Sequence, residues 1–165
     1  MALVAPVFFD TSILLAGIID MGIVSIPAQT VMEGIADGTI RRPQTAWHCI
    51  LEFYSVSTRL PSEFRLSVGD ALRLVREEIL GRFEVRQLPK HAFRAFLETV
   101  AHEGVGGGRV YDAHIAEVAR LSGAKLVVTD NRRHFTILLR YGMRVVDAAA
   151  FRDEFLLRRA APRAR

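Results

Sequence analysis

The sequence predicts an α/β domain on a mostly parallel sheet, and three observations predict it. Short apolar runs at Val7–Phe9 and Leu126–Val128, and a short last strand at Arg144–Val146, lack the strict alternation of a strand with one wet face. Runs of that kind suit strands covered on both faces. Helical patterns separate them, and strands alternating with helices favour parallel pairing with helices on both sides of the sheet. The 165 residues suffice for one sizeable core. We assign 1–150 to a single domain and 151–165 to a helix end followed by a basic tail.

Each element has a local reason. Val7-Phe8-Phe9 runs into Asp10, and Thr11 and Ser12 are good helix N-caps, so a strand hands over to a helix reaching residue 20. Pro27 opens a second helix, with Val31, Met32 and Ile35 on one face and Gly38 as its stop. Pro43 to Leu60 reads as a third helix, ending before Pro61. Ser67 caps a fourth, with Asp70 three residues on as a weak capping box. Phe83–Leu88 alternates as a strand, and Pro89 starts a helix with Phe93, Phe96, Leu97 and Val100 on one face. Four glycines between Gly104 and Gly108 make a loop, either a mobile lid or a tight turn. A helix from Val110 to Leu121, a strand Leu126–Thr129 and a last strand at 144–146 follow. Leu157–Arg165 is expected to be a frayed tail.

Composition narrows the function. Half the residues are hydrophobic, which excludes a disordered chain. Apolar runs fall short of the ~20 residues of a membrane span, and no charged segment precedes the N-terminal apolar stretch, so no membrane anchor or secretory signal is expected. Cys49 is the only cysteine, which excludes a disulfide framework and a Cys-based zinc site and points to a cytoplasmic location. The net charge of +4 is carried almost wholly by arginine, Lys90 and Lys125 being the only lysines. That balance permits nucleic-acid binding without demanding it.

Four carboxylates stand out by position. Asp10 and Asp130 follow strands, at the carboxyl edge where open α/β sheets form ligand sites. Glu52 lies inside an apolar helix between Leu51 and Phe53. Asp112 falls in the first turn after the glycine loop. Each also has an ordinary reading: Asp10 as a helix cap, Glu52 reaching to water, Asp112 serving the helix dipole, Asp130 in a turn with Asn131. Crowded together they repel unless a cation neutralises them. Hard oxygens suit Mg2+ or Mn2+, and such a site hydrolyses phosphodiesters by activating water. The five histidines make no His-x-x-x-His pair, Ser12 lacks a nucleophile-elbow setting, and the glycines lack the Gly-Lys-Ser/Thr of a phosphate-binding loop.

Phe9-Asp10-Thr11-Ser12, Leu51-Glu52-Phe53, Gly107–Ala113 and Val128–Phe135 resemble, in order and spacing, the motifs of PIN-domain ribonucleases, most of all the VapC-like toxins of toxin–antitoxin modules. The resemblance spans about residues 7–147. It implies a three-layer α/β/α sandwich, a Mg2+- or Mn2+-dependent endoribonuclease acting on RNA, a homodimer, and an antitoxin that blocks the site. Asp10, Glu52 and Asp112 fall on that family's metal site, and Thr11 and Ser12 on its first-motif hydroxyls. The fourth position departs from the pattern. The family reads Thr-x-Asp or Thr-x-Asn there, which from Thr129 gives Asn131, while Asp130 stands one residue earlier. Two other readings compete: a PIN scaffold that binds RNA or protein but cuts weakly, and a phosphoryl-transfer domain with Asp10 as nucleophile. The last lacks an Asp-x-Asp-x-Thr motif and a late-strand lysine.

Overall fold

The computed structural model describes residues 3–157; the tail beyond Leu157 lies outside the described residues. Five short strands form one parallel sheet: β1 (Val7–Phe9), β2 (Pro43–Ala46), β3 (Glu84–Arg86), β4 (Leu126–Val128) and β5 (Arg144–Val146), in the order β3-β2-β1-β4-β5. The chain leaves β1 toward one edge and later returns to its other side, so the connection reverses between β1 and β4. A crevice opens at such a switch point, beyond the carboxyl ends of the strands. Asp10 follows β1 and Thr129 follows β4 directly.

Helices α1 (Thr11–Ile18), α2 (Ile26–Ala36) and α7 (Ala148–Phe151, continuing as a wider turn over Arg152–Leu157) pack on one another. A second group holds α5 (Phe93–His102), α6 (Arg109–Leu121) and the 3-10 segment Arg132–Tyr141. Helix α3 (Trp47–Ser57) touches both groups and α4 (Val68–Leu74). The result is the expected three-layer α/β/α sandwich. Its core is anchored by Phe9, fully buried, with Phe83 at 6.0 Å and Phe151 at 5.7 Å in edge-to-face contact. Each such ring contributes roughly 1.5–3 kcal/mol by leaving water. Phe151 therefore belongs to the core although it follows the 1–150 segment.

The expected helix from Pro43 to Leu60 is corrected. Its first four residues are strand β2, and the helix runs from Trp47 to Ser57. Pro-Gln-Thr-Ala carries no apolar alternation, yet all four residues are buried. Their donor groups find partners across the sheet: Thr45 Oγ1 donates to the Phe9 carbonyl at 2.9 Å, and Gln44 Nε2 to Glu84 at 3.1 Å, while Gln44 Oε1 is buried without one. Proline is tolerated because it opens the strand. The Ser67 cap forms as expected, its hydroxyl accepting the Asp70 amide at 3.0 Å. The glycine loop is a tight turn, with Gly104 and Gly107 at φ +64° and +58° and the Val105 amide bonded to the Val100 carbonyl.

Helices α1 and α2 approach so closely that a β-carbon on Gly17 would lie 2.5 Å from Met32 Cγ and 2.9 Å from the Ala28 carbonyl oxygen. A backbone atom cannot step aside there. Gly17→Ala is expected to lower stability by about 1–3 kcal/mol in urea unfolding, whereas Gly106→Ala, which meets nothing within 4 Å, should stay within about 0.5 kcal/mol of wild type. Equal midpoints for the two variants would contradict this packing.

Candidate active site

Asp10 occupies the N-cap position of α1, but its side chain does not cap the helix; its main-chain carbonyl accepts the first helical amides. The carboxylate instead turns into the crevice and is 4% exposed. Its Oδ2 accepts from Thr129 Oγ1 at 2.8 Å and from Ser12 Oγ at 3.0 Å. Each hydroxyl in turn accepts a backbone amide of the turn after β4: Ser12 from Asp130 at 3.1 Å, Thr129 from Asn131 at 3.0 Å. The loops after β1 and β4 are thus tied through two hydroxyls to one carboxylate. Thr11 donates to Glu52 Oε2 at 2.5 Å, which brings α3 into the same cluster.

Burial raises the Asp10 pKa above its ordinary 3.8. The hydrogen bonds from Thr129 and Ser12 work against that shift, and the neighbouring Glu52 charge adds to it. Asp10 is therefore a carboxylate whose ionised form is short of stabilisation. The adjoining thiol of Cys49 is fully buried, and burial, with the Asp10 charge second, pushes it up to about 12. It is not a nucleophile.

The remaining expected acids sit in two other settings. Asp112, in the first turn of α6, pairs with His134, Oδ2 to Nδ1 at 2.9 Å. Arg133 Nε donates to His134 Nε2 at 3.1 Å, so the imidazole accepts on one nitrogen and presents the other to Asp112. Asp130 Oδ1 accepts the Ala148 amide at 3.1 Å, at the start of α7, while Asn131 is exposed. Among the described residues no three His, Cys, Asp or Glu side chains stand close enough together to hold a metal ion. Asp10 and Glu52 alone form a pair of hard oxygen donors around a desolvated charge. That set fits Mg2+ or Mn2+, since magnesium typically uses one or two carboxylates and completes its shell with water and phosphate oxygens.

His134 is the residue to which sequence reasoning gave no role. Its signal was present: a basic run, Arg132 to His134, directly before the fully buried Phe135.

The raised pKa of Asp10 has a definite sign in stability. Below the unfolded value of 3.8 both states are protonated and the group costs nothing. As pH rises past that value the unfolded chain ionises first, and the penalty grows until the folded carboxyl ionises, then stays constant. Metal-free Asp10→Asn should therefore melt above wild type at neutral pH, with the gain shrinking as pH falls toward 3.8. A thermal-melt series in chelator checks this; a lower melting point at neutral pH would refute it.

Against known proteins, the PIN domain family profile matches residues 7–138. Ribonuclease VapC27 of Mycobacterium tuberculosis is 36% identical over 107 residues, covering 62% of this chain and 72% of that one. Among solved structures, PAE2754 from Pyrobaculum aerophilum superposes with a TM-score of 0.58 at 22% identity over 98% of this chain and 93% of its own. The M. tuberculosis VapC20, described as a sarcin–ricin loop cleaving toxin, gives 0.55 at 16% identity over 73% and 86%. These structural likenesses concern the fold; the profile match over most of the chain places this protein in the PIN domain family.

Proposed function

We propose that this protein is a metal-dependent endoribonuclease hydrolysing RNA phosphodiester bonds, and the toxin of a toxin–antitoxin pair. The observation that carries the reading is the buried Asp10 carboxylate at the sheet's switch point, its charge uncompensated and Glu52 beside it. The relative named a ribonuclease and the neighbour described as a toxin support the substrate and the role. No helix among the described residues is long and apolar enough to cross a membrane.

Mg2+ or Mn2+ would be held by Asp10 and Glu52, and when bound it supplies Lewis-acid polarisation of the phosphate and an acidified water. The chain's own residues prepare that site. Ser12 and Thr129 fix the Asp10 carboxylate, and Thr11 fixes Glu52. Asp112, held on α6 by His134, would be the further acid available to hold the cation. Asp130 lends charge from the rim while capping α7, and Asn131 offers a neutral oxygen. An antitoxin would close the site with an arginine, which matches a carboxylate in bidentate fashion and needs no metal. The active form is a homodimer acting in the cytoplasm.

A second reading, a PIN scaffold that binds RNA with little cleavage, is favoured by one observation: Asp112 and Asp130 are both engaged elsewhere, leaving two acids at the cluster. Cleavage of a labelled RNA with Mn2+ separates the two. Asp10→Asn and Asp112→Asn should each lose more than about 100-fold, beyond the range typical of outer-shell changes, with circular dichroism unchanged. Asp130→Asn should lose less than either, and Asn131→Asp should strengthen Mn2+ affinity by adding charge. Near-normal turnover in Asp10→Asn would remove the site assignment, and RNA binding by wild type without cleavage would establish the binding module.

A further inference from the structure

The segment Arg132–Tyr141 is anchored by Phe135 and Leu138, both buried, whereas His134 is exposed. His134 reaches across to the first turn of α6, where its Nδ1 lies 2.9 Å from Asp112 Oδ2. Its other nitrogen is committed as well: Nε2 accepts from Arg133 Nε at 3.1 Å. A guanidinium has no acceptor to offer, so Nε2 carries no proton, and the one proton of the ring sits on Nδ1, facing the carboxylate. Among the described residues Asp112 Oδ1 has no hydrogen-bond partner.

Stability does not explain this arrangement. Both side chains are 34% exposed, at the border of a cavity of about 780 Å3 between α5, α6 and the segment. A pair so well reached by water contributes little to folding, and here one member is neutral. Its effect lies in orientation. A neutral donor on one carboxylate oxygen fixes the side chain and leaves the negative charge for a cation. An arginine in that place would compete with the cation for it. Metal-binding carboxylates are commonly held by further hydrogen bonds in this way.

Helix α6 is itself tied to the helix that carries Glu52. Tyr111, the neighbour of Asp112, stacks on His48 with ring centroids 5.1 Å apart, and His114 meets the His48 ring edge-on at 5.6 Å. His48 stands one helical turn before Glu52, on the same face of α3. The stack therefore brings the start of α6 alongside the part of α3 that bears Glu52.

We infer that His134 is a positioning residue of the metal site: it holds Asp112 by Oδ2 and leaves Oδ1 to the cation, while Arg133 fixes the tautomer that allows it. The inference rests on the ribonuclease reading, with Asp112 as its further acid, and deepens it by naming what orients that acid.

The test is calorimetric Mn2+ affinity, with melting in chelator and Mn2+-dependent RNA cleavage followed on the same variants. His134→Leu should weaken Mn2+ binding about 10–100-fold, the range for groups that orient a metal's ligands, while melting in chelator stays near wild type. His134→Asn, whose amide can donate to the same oxygen, should recover most of that loss. In an Asp112→Asn background His134→Leu should cost nothing further, because it acts only through that carboxylate. Imidazole nitrogen NMR of the metal-free protein should place the His134 proton on Nδ1, and Arg133→Ala should shift it toward Nε2. Unchanged or tighter Mn2+ binding in His134→Leu, or a further loss on top of Asp112→Asn, would overturn the positioning role and leave the nuclease reading intact. So would wild-type affinity in Asp112→Asn. Lowered melting in both His134 variants without rescue by asparagine would make His134 a structural clamp and overturn the inference as well. Wild type that neither binds Mn2+ nor cuts RNA would remove the ribonuclease reading together with it.

Discussion

Burying the Asp10 carboxylate between β1 and β4 costs solvation, and the surroundings offset that cost only in part. Two hydroxyl donors, Ser12 and Thr129, reach the carboxylate, while Glu52 on α3 adds a like charge. A protein gains nothing in stability from such an arrangement. Its persistence makes sense if a cation is the missing partner, and the hard oxygens present suit magnesium or manganese.

The fold serves this one position. The order β3-β2-β1-β4-β5 puts the strand bearing Asp10 at the centre and opens a crevice beside its end. Close packing of α1 on α2 at Gly17 and the edge-to-face contacts of Phe9 with Phe83 and Phe151 hold β1 and its outgoing helix in place. The same two hydroxyls that bind Asp10 also accept the amides of Asp130 and Asn131. The turn after β4 is therefore positioned by the acid it flanks, and its own carboxylate is free to start α7. On the far side of the site, Arg133, His134 and Asp112 form a chain that links the 3-10 segment to α6 and borders the neighbouring cavity.

Most of the sheet was legible because Val7–Phe9 and Leu126–Val128 are buried apolar runs with a polar residue at their carboxyl ends. Strand β2 was not. Its residues are Pro, Gln, Thr and Ala, and their burial depends on Phe9 and Glu84, partners more than thirty residues away. No local pattern announces such a strand. The importance of Asp10 could be read from its place after a strand, and its link to Ser12 from their adjacency. The pairing of Asp112 with His134, and the turn of Asp130 toward Ala148, depend on how α6, the 3-10 segment and α7 meet, which spacing along the chain does not encode. The fourth acid was ambiguous in sequence for the same reason: a one-residue difference in register decides which side chain points where.

The central claim is that the buried Asp10 carboxylate is completed by a divalent cation. Calorimetric titration of Mn2+ into the protein, at mildly acidic pH in two buffers of different ionisation enthalpy, tests it most directly. A carboxyl with a raised pKa must give up its proton to bind metal, so binding should release protons. The account predicts Mn2+ binding with net proton release, and loss of both in Asp10→Asn. Absence of binding in wild type, or equal affinity in the variant, would contradict it.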